Sequence, residues 1–549
     1  MTGQRRPNMK NVIRKHKFWL LLVFLSTAGI AVNELLKASL MQYILDSVNI
    51  RTMDRLKTAC LFTIAYLIAM LVIFLFHDIT TTHFIRVCTE TIKNQWMSKI
   101  EKKELSEYDA TNISNYISGF TVDIQSIEEE YLQNFLLVIR YFMTGISSVI
   151  AIYYVHYYYL IIIAAICWIP LLINHLWAKK ITNSRLAASM GNAEFTRVLR
   201  EALTGFELTK FYGLSEHMKN RFLKENHDLE KKRFDARWAK EASETTSSTA
   251  SILLWFSTLL MGIYLAIRNL VTVGSIMKVN QLLNNVVNPL YRISLCTTKM
   301  KAGNTLYLHV SESMETRDSK SELEEKTLEK ISEFQDKIEL QSVGIRLGEQ
   351  QVLKNTNVCF EKGKKYLLTG ESGCGKSTLL KLLLGYYKDY QGSILVDGQN
   401  LSKVQMDSWY ESVAVVSQKD FLLQDTVRNN LCLFRSIPEE EIENVLDLCC
   451  LRSFIKKHPA GLDFVIEEDG KNISGGEKQR ICLARALLKK APVLILDEAL
   501  SALDEATAIR VEQNLLNLSG VTILAISHKL FEETIGQYDA RIQMKANGN

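Results

Sequence analysis

Apolar positions fall into two regimes along this chain. Up to about residue 297 they gather in runs as long as a bilayer is thick; from 337 onward they come in short clusters separated by charged sequence. Six runs of membrane length can be set out, at roughly 18–45, 59–82, 132–155, 157–178, 250–270 and 275–297. The connections 83–131 and 179–249 are long, charged and helix-like, whereas the third and fourth runs part only around His156 and the last two only around Arg268 and Gly274. In the second half, clusters at 338–343, 352–360, 366–368, 493–496 and 522–526 read as strands, and 379–384 and 481–489 as helices. The expected architecture is an α-helical transmembrane bundle of six long helices with cytoplasmic extensions (1–314), a charged linker without apolar periodicity (315–336) and an α/β domain (337–549).

Charge orients the first half. Arg5, Arg6, Lys10, Arg14, Lys15 and Lys17 precede the first run with no acidic residue among them, and that run is too long for the core of a cleaved signal peptide. It reads as a retained first helix with a cytoplasmic basic flank. Tyr153, Tyr154, Tyr157, Tyr158 and Tyr159 suit an aromatic belt at the outer interface. Short outer turns and long inner connections put both termini inside. The 46–58 loop, with Arg51, Arg55 and Lys57, fits the charge rule less well.

The sixth run departs from a lipid-facing pattern. Asn280, Asn284 and Asn288 recur every four residues, with Gln281 and Asn285 one step round the helix and Pro289 able to kink it. Such a face either bonds to other helices or lines a cavity reached by water or substrate. Glu34 and Lys37 can pair on one helical face, whereas Arg140 has no local partner and is a candidate for the same cavity.

Composition adds exclusions. The net charge of +5 over 549 residues gives no electrostatic case for nucleic-acid binding. The 10 cysteines are scattered without a C-x-x-C pair, as reduced thiols would be.

The chemistry sits in the second half. Gly370, Gly375, Lys376 and Ser377 fit G-x-x-x-x-G-K-[ST] between a strand-like and a helix-like run. Glycines at 370, 373 and 375 let the backbone curl with its N–H groups inward, a nest that attracts phosphate oxygens at a helix start. Lys376 can reach the β/γ-phosphates and the Ser377 hydroxyl can ligate Mg²⁺. Cys374, inside the loop, is either a thiol open to alkylation or an inert small residue. The run 493–496 ends in Asp497 and Glu498, suiting the first to the metal and the second to general-base attack by water. Ser474 and Glu477 form an S-x-x-E capping box at another helix start, which is compatible with a second phosphate contact.

Together these motifs make the chain resemble the ATP-binding cassette (ABC) transporters, specifically exporters with six membrane helices ahead of one nucleotide-binding domain. Gly370, Glu371, Ser372, Gly373, Cys374, Gly375, Lys376, Ser377 and Thr378 match Walker A, and 493–498 matches Walker B. Ile473, Ser474, Gly475, Gly476 and Glu477 are similar to the signature LSGGQ, with mild changes at its two ends. Gln418 stands where the family has a Q-loop glutamine beside the metal, Asp504 matches the D-loop aspartate and His528 the switch histidine that acts with Glu498. The surroundings of Asp123 and Gly205 resemble the connections that carry coupling helices.

The resemblance implies a P-loop ATPase using ATP and Mg²⁺, with nucleotide held between 370–378 of one chain and 473–477 of another. The working unit is then a homodimer, or a heterodimer with a second half-transporter, embedded among the lipids of the cytoplasmic membrane with its nucleotide-binding domains in the cytoplasm. The expected activity is ATP-driven export of a peptide or other polar or amphipathic compound. A lipid flippase or multidrug exporter is the alternative, and an ATP-gated channel or sensing module a more distant one. Besides the changed ends of the signature, two further departures stand out. Leu347 occupies the place of the aromatic that stacks on adenine in the family, and little chain follows His528. The sequence also begins at its membrane region, without the cysteine-peptidase domain some peptide exporters carry, so leader removal is expected to lie elsewhere.

Overall fold

The computed structural model describes residues 8–50, 53–109, 111–315, 328–331, 333–348, 350–371, 373–417, 421–527 and 529–544. The chain forms two compact units, Met1–Glu101 with Ile113–Glu315, and Lys102–Asn112 with Thr316–Asn549. Most of the 315–336 linker, 316–327 and 332, lies outside the described residues.

The first unit is helical. Its long helices are α1 (Lys17–Ile50), α2 (Met53–Ile100), α3 (Gln133–Val155), α4 (Trp168–Thr204), α5 (Ser215–Ile267) and α6 (Val273–Met314). Among the described residues, four stretches are long and apolar enough to cross a membrane: Lys17–Ser47, Met53–Ile100, Ile113–Val155 and Ser215–Ile267. The lipid-like character of α2 is carried by exposed Leu61, Ile64, Leu67, Ile68, Leu71 and Val72, which no polar solvent would tolerate in such density. The 157–178 run divides into helix Tyr158–Ile166 and α4, with Cys167 between them. Pro170, in the first turn of α4, has no N–H to offer the carbonyl of Ile166, so the break falls where a continuous ladder would fail. The sixth run lies in α6, whose amides lower its hydropathy. α4 packs on α5, and α6 on both α1 and α3.

One apolar cluster joins Phe84, Ile92 and Trp96 of α2 to Tyr307 and Met314 of α6, and the Trp96 indole donates to Ser311 Oγ at 3.0 Å. A second gathers Ala38, Ile152, Leu254, Leu265, Val279 and Leu283 from α1, α3, α5 and α6. At the start of α6, Asp46 accepts from Gly274 N–H at 3.0 Å and from the Thr272 hydroxyl at 2.9 Å, so a carboxylate from α1 satisfies the free donors of that helix end.

The second unit carries two sheets. The antiparallel one has the order β2 (Gln350–Glu361), β1 (Lys337–Leu347), β4 (Gln391–Val396), β5 (Gln399–Asn400). The parallel one has the order β6 (Val413–Val416), β7 (Val493–Asp497), β8 (Thr522–Ile526), β3 (Lys365–Gly370), β9 (Ala540–Met544). β8 is buried throughout and β7 through Leu496, because helices cover both faces and strands there must be apolar on each side. Among the helices of this unit are α7 (Lys376–Leu383), α8 (Gly475–Leu488) and α9 (Glu505–Leu516).

This unit also contains 102–112. Its short helix Leu105–Asp109 lies near the end of α7, with Lys388 Nζ 2.7 Å from Glu104 and Lys381 Nζ 3.9 Å from Asp109. The surroundings of Asp123 form helical turns in the first unit, where Ile124 and Ile127 are buried. The other expected connection holds helix Phe206–Phe211, and there Phe206, Leu208, Phe211 and Tyr212 are exposed.

A Cβ at Gly274 would stand 2.5 Å from the Gln42 carbonyl oxygen, whereas one at Gly536 meets nothing within 4 Å. Gly274→Ala is therefore expected to destabilise the membrane unit by about 1–3 kcal/mol. Gly536→Ala should leave the thermal transition in detergent within a degree or so of the parent protein.

Candidate nucleotide site

β3 and α7 position the phosphate-binding loop. Gly370 ends β3 with φ 150°, and a Cβ there would lie 2.3 Å from the Met544 carbonyl oxygen. Gly375 precedes α7 in the left-handed region at φ 99°, where a Cβ would come 2.7 Å from Leu353 Cδ2. Both positions are thus closed to side chains, which brings the loop backbone tight against β2 and β9. Lys376 is only 6% exposed, and its ammonium donates to the Gly370 and Glu371 carbonyls at 2.8 and 2.9 Å. A cation is therefore fixed against the backbone of the loop. The Cys374 sulfur lies 3.8 Å from Lys376 Nζ, but the residue is 2% exposed, and that burial favours the inert role over reaction with alkylating reagents. Ser372 lies outside the described residues.

The sheet order brings the second half of the site to the first. Asp497 closes β7, and Ser377 Oγ donates to its Oδ1 at 3.4 Å, so hydroxyl and carboxylate converge as the ligand and outer partner of a hard divalent ion should. Glu498 follows in the left-handed region at φ 55°, pinned by its N–H to the Ile526 carbonyl at 3.0 Å. A non-glycine residue held there carries backbone strain of the sort found at reactive positions. Gln418 and His528 lie outside the described residues.

The signature opens α8. Ser474 is its N-cap, accepting from Glu477 N–H at 3.3 Å, while the Glu477 carboxylate accepts from Ser474 N–H and Oγ–H, each at 2.8 Å. Burial alone would raise the Glu477 carboxyl; these bonds from Ser474 outweigh it and hold it below the ordinary range. No hydrogen bond joins Ser474–Glu477 to 370–378 among the described residues. Asp504 caps α9 through Thr507 N–H at 3.0 Å, and that backbone bond, with one from the Thr507 hydroxyl, holds its carboxyl low.

Two residues without a role in the motif pattern tie these parts together. Gln479, buried in α8, accepts from Ala502 N–H at 2.9 Å and donates to Ser501 Oγ at 3.1 Å and the Glu498 carbonyl at 3.4 Å. Lys529 donates to the Ser501 and Leu503 carbonyls at 2.9 and 3.3 Å. The sequence does hold a signal for Gln479: it shares the i, i+4, i+7 face with Leu483 and Ala486, a polar residue where the period requires burial. Lys529 has none.

The membrane unit divides the four cavity candidates. Asn280 is buried and accepts from the Thr258 hydroxyl at 3.0 Å, so it joins α6 to α5. Arg140, Asn284 and Asn288 line a cavity of about 280 Å³ between α1, α3 and α6, with Glu34, Asn285 and Arg292. Arg292 was not legible because it follows the amide row rather than belonging to it.

A phosphate loop on a parallel sheet, a carboxylate pair on the next-but-one strand and an apolar helical unit in one chain define a membrane ATPase of the P-loop class. Residues 353–501 match the family model of the ABC transporter, and residues 19–290 that of the ABC transporter transmembrane region. The chain belongs to the ABC transporter family, as a multi-pass membrane exporter that couples ATP hydrolysis to transport. It is 29% identical over 444 residues to an ATP-dependent lipid A-core flippase of Syntrophus aciditrophicus (strain SB), covering 80% of this chain and 73% of that protein. An ATP-dependent lipid A-core flippase of Alcanivorax borkumensis is 28% identical over 446 residues, 80% of this chain and 75% of that one. The transport/processing ATP-binding protein ComA of Streptococcus pneumoniae (strain R6) is 31% identical over 349 residues, 62% of this chain but 47% of its own.

Leu347 ends β1 and packs against the apolar core beside Val352. Replacing it by Tyr is expected to tighten ATP binding by about 1–3 kcal/mol if adenine stacks there; equal affinities of the two proteins for ATP and GTP, measured calorimetrically, would exclude a stacking role. Gln479→Leu strands the Ala502 N–H and is expected to cost about 1–3 kcal/mol of stability and to lower ATP turnover. Thermal unfolding and ATPase rates check this together.

Proposed function

We propose that two copies of this chain form the export pump, each contributing half of two ATP sites. The observation that carries this is the incompleteness of one chain's site: a well-formed loop with Lys376, Ser377, Asp497 and Glu498, and a capped signature with no bond to it among the described residues. In this reading Ser474–Gly476 of one copy face the loop of the other, and the free N–H groups at the start of α8 meet the terminal phosphate.

The residues fit Mg²⁺ as well as ATP. Ser377, with Asp497 behind it, would hold the ion, which when bound neutralises charge on the phosphate oxygens. Lys376 orients the phosphates, and Glu498 accepts the proton of the attacking water. Gln418 and His528 complete the arrangement on the family pattern. Both termini and the nucleotide-binding units lie in the cytoplasm. Cargo is read from the cavity rather than from the relatives, of which two are flippases for lipid A-core and one a transport/processing protein. Its polar lining favours a peptide over an acyl chain.

Glu498→Gln is expected to abolish turnover while leaving ATP binding; full ATPase activity would remove the assigned base. Lys376→Ala and Ser474→Arg should each be inactive alone. Co-expressed, they should recover roughly a quarter of parental turnover, because half of randomly formed dimers carry one intact composite site of two. No recovery would point to sites built within one chain or to a different partner chain.

A further inference from the structure

Arg140 and Arg292 both line the cavity between α1, α3 and α6, and neither guanidinium has a hydrogen bond or ion pair among the described residues. The carboxylate nearest at hand is Glu34, which is 3.9 Å from Lys37 on its own helix and so has a cation of its own. The cavity thus carries two cations against one carboxylate already shared with a third. Three amides, Asn284, Asn285 and Asn288, complete the polar wall, and Asn285 Nδ2 is buried without a partner among the described residues. Apolar lining is confined largely to Leu137, Tyr141 and Pro289.

Depth makes this costly. Arg140 is 13 residues, or about 20 Å of helix, below Tyr153 in the aromatic belt. Asn284 and Asn285 are about 18 Å, and Arg292 about 30 Å, from the outer end of α6. Against a hydrocarbon layer about 30 Å thick, the amides and Arg140 stand in its inner half and Arg292 at its inner edge. Guanidinium groups held there without a paired carboxylate among the described residues mark a pathway for something that supplies the anion.

Resting on the export reading above, we propose that this cavity selects cargo by an anionic group, and that the cargo is an acidic peptide whose carboxylate is taken by Arg140 and Arg292 while the asparagines bond its backbone. Planar guanidinium and carboxylate match edge to edge, and primary amides both give to and accept from peptide groups. An anionic phospholipid offers the same charge, but the sparse apolar lining leaves no place for its chains.

The test uses the full-length protein in phosphatidylcholine nanodiscs, with ATPase stimulation by paired acetylated and amidated peptides that differ only in Glu against Gln. The Glu peptide is expected to half-stimulate at about tenfold lower concentration. The readout is the ratio between the two peptides within each variant, so variants of different activity remain comparable. That ratio should fall to near one in Arg140→Gln and Arg292→Gln, recover in part in Arg140→Lys, and turn toward a Lys peptide in Arg140→Glu. Equal stimulation by both peptides, or a Glu preference that survives all four changes, overturns the inference while leaving export intact. Response to added phosphatidylglycerol with none to any peptide overturns the choice of cargo class. Absence of ATP hydrolysis under every condition removes the export reading and this inference with it.

Discussion

Burial of a parallel sheet on both faces is the constraint from which the catalytic half follows. Strands β7 and β8 have no polar side available, so apart from buried Thr522 at the start of β8 their polar residues appear only where the strands leave the core. Thr369 and Gly370, then Asp497 and Glu498, come at the carboxyl ends of strands that the order β7, β8, β3 places two apart. The reactive groups are gathered by the same exclusion of charge that makes the sheet stable. Gly370 and Gly375 extend the constraint to the loop itself, where any side chain would collide with Met544 or Leu353.

The membrane half obeys a related rule with a different outcome. Lipid offers no hydrogen bonds, so each amide of α6 must find a partner in the protein or in a cavity. Asn280 takes the first course through Thr258, and Asn284 and Asn288, one and two turns further, take the second. One repeating pattern therefore supplies both a helix-to-helix bond and part of a cavity wall.

What could be read beforehand divides along these lines. Motifs whose spacing follows from local geometry, such as 370–378 and the Ser474–Glu477 capping box, were legible because strand, turn and helix sit side by side in the chain. Asp497 was legible because a continuous apolar run must end before a charge. Arg292 and Lys529 were not, because their meaning depends on α1 and α3 in one case and on Ser501 and Leu503 in the other, all distant in sequence. Residues 102–112 belong with the second unit for the same reason: nothing local to Leu105 announces Lys381 and Lys388.

Pro289 gives α6 a mechanical character of its own. Over 42 residues, about 63 Å, the helix is secured near one end by Asp46 and near the other by Trp96, and Pro289 cannot supply the N–H that the Asn285 carbonyl would otherwise receive. The ladder is one rung short within the turns that carry Asn284, Asn285, Asn288 and Arg292. Bending stiffness is lowest there, so the angle of the rod and the spacing of the cavity's polar groups are a single mechanical coordinate. Any change in the angle between the Trp96 and Asp46 ends therefore reshapes the chamber.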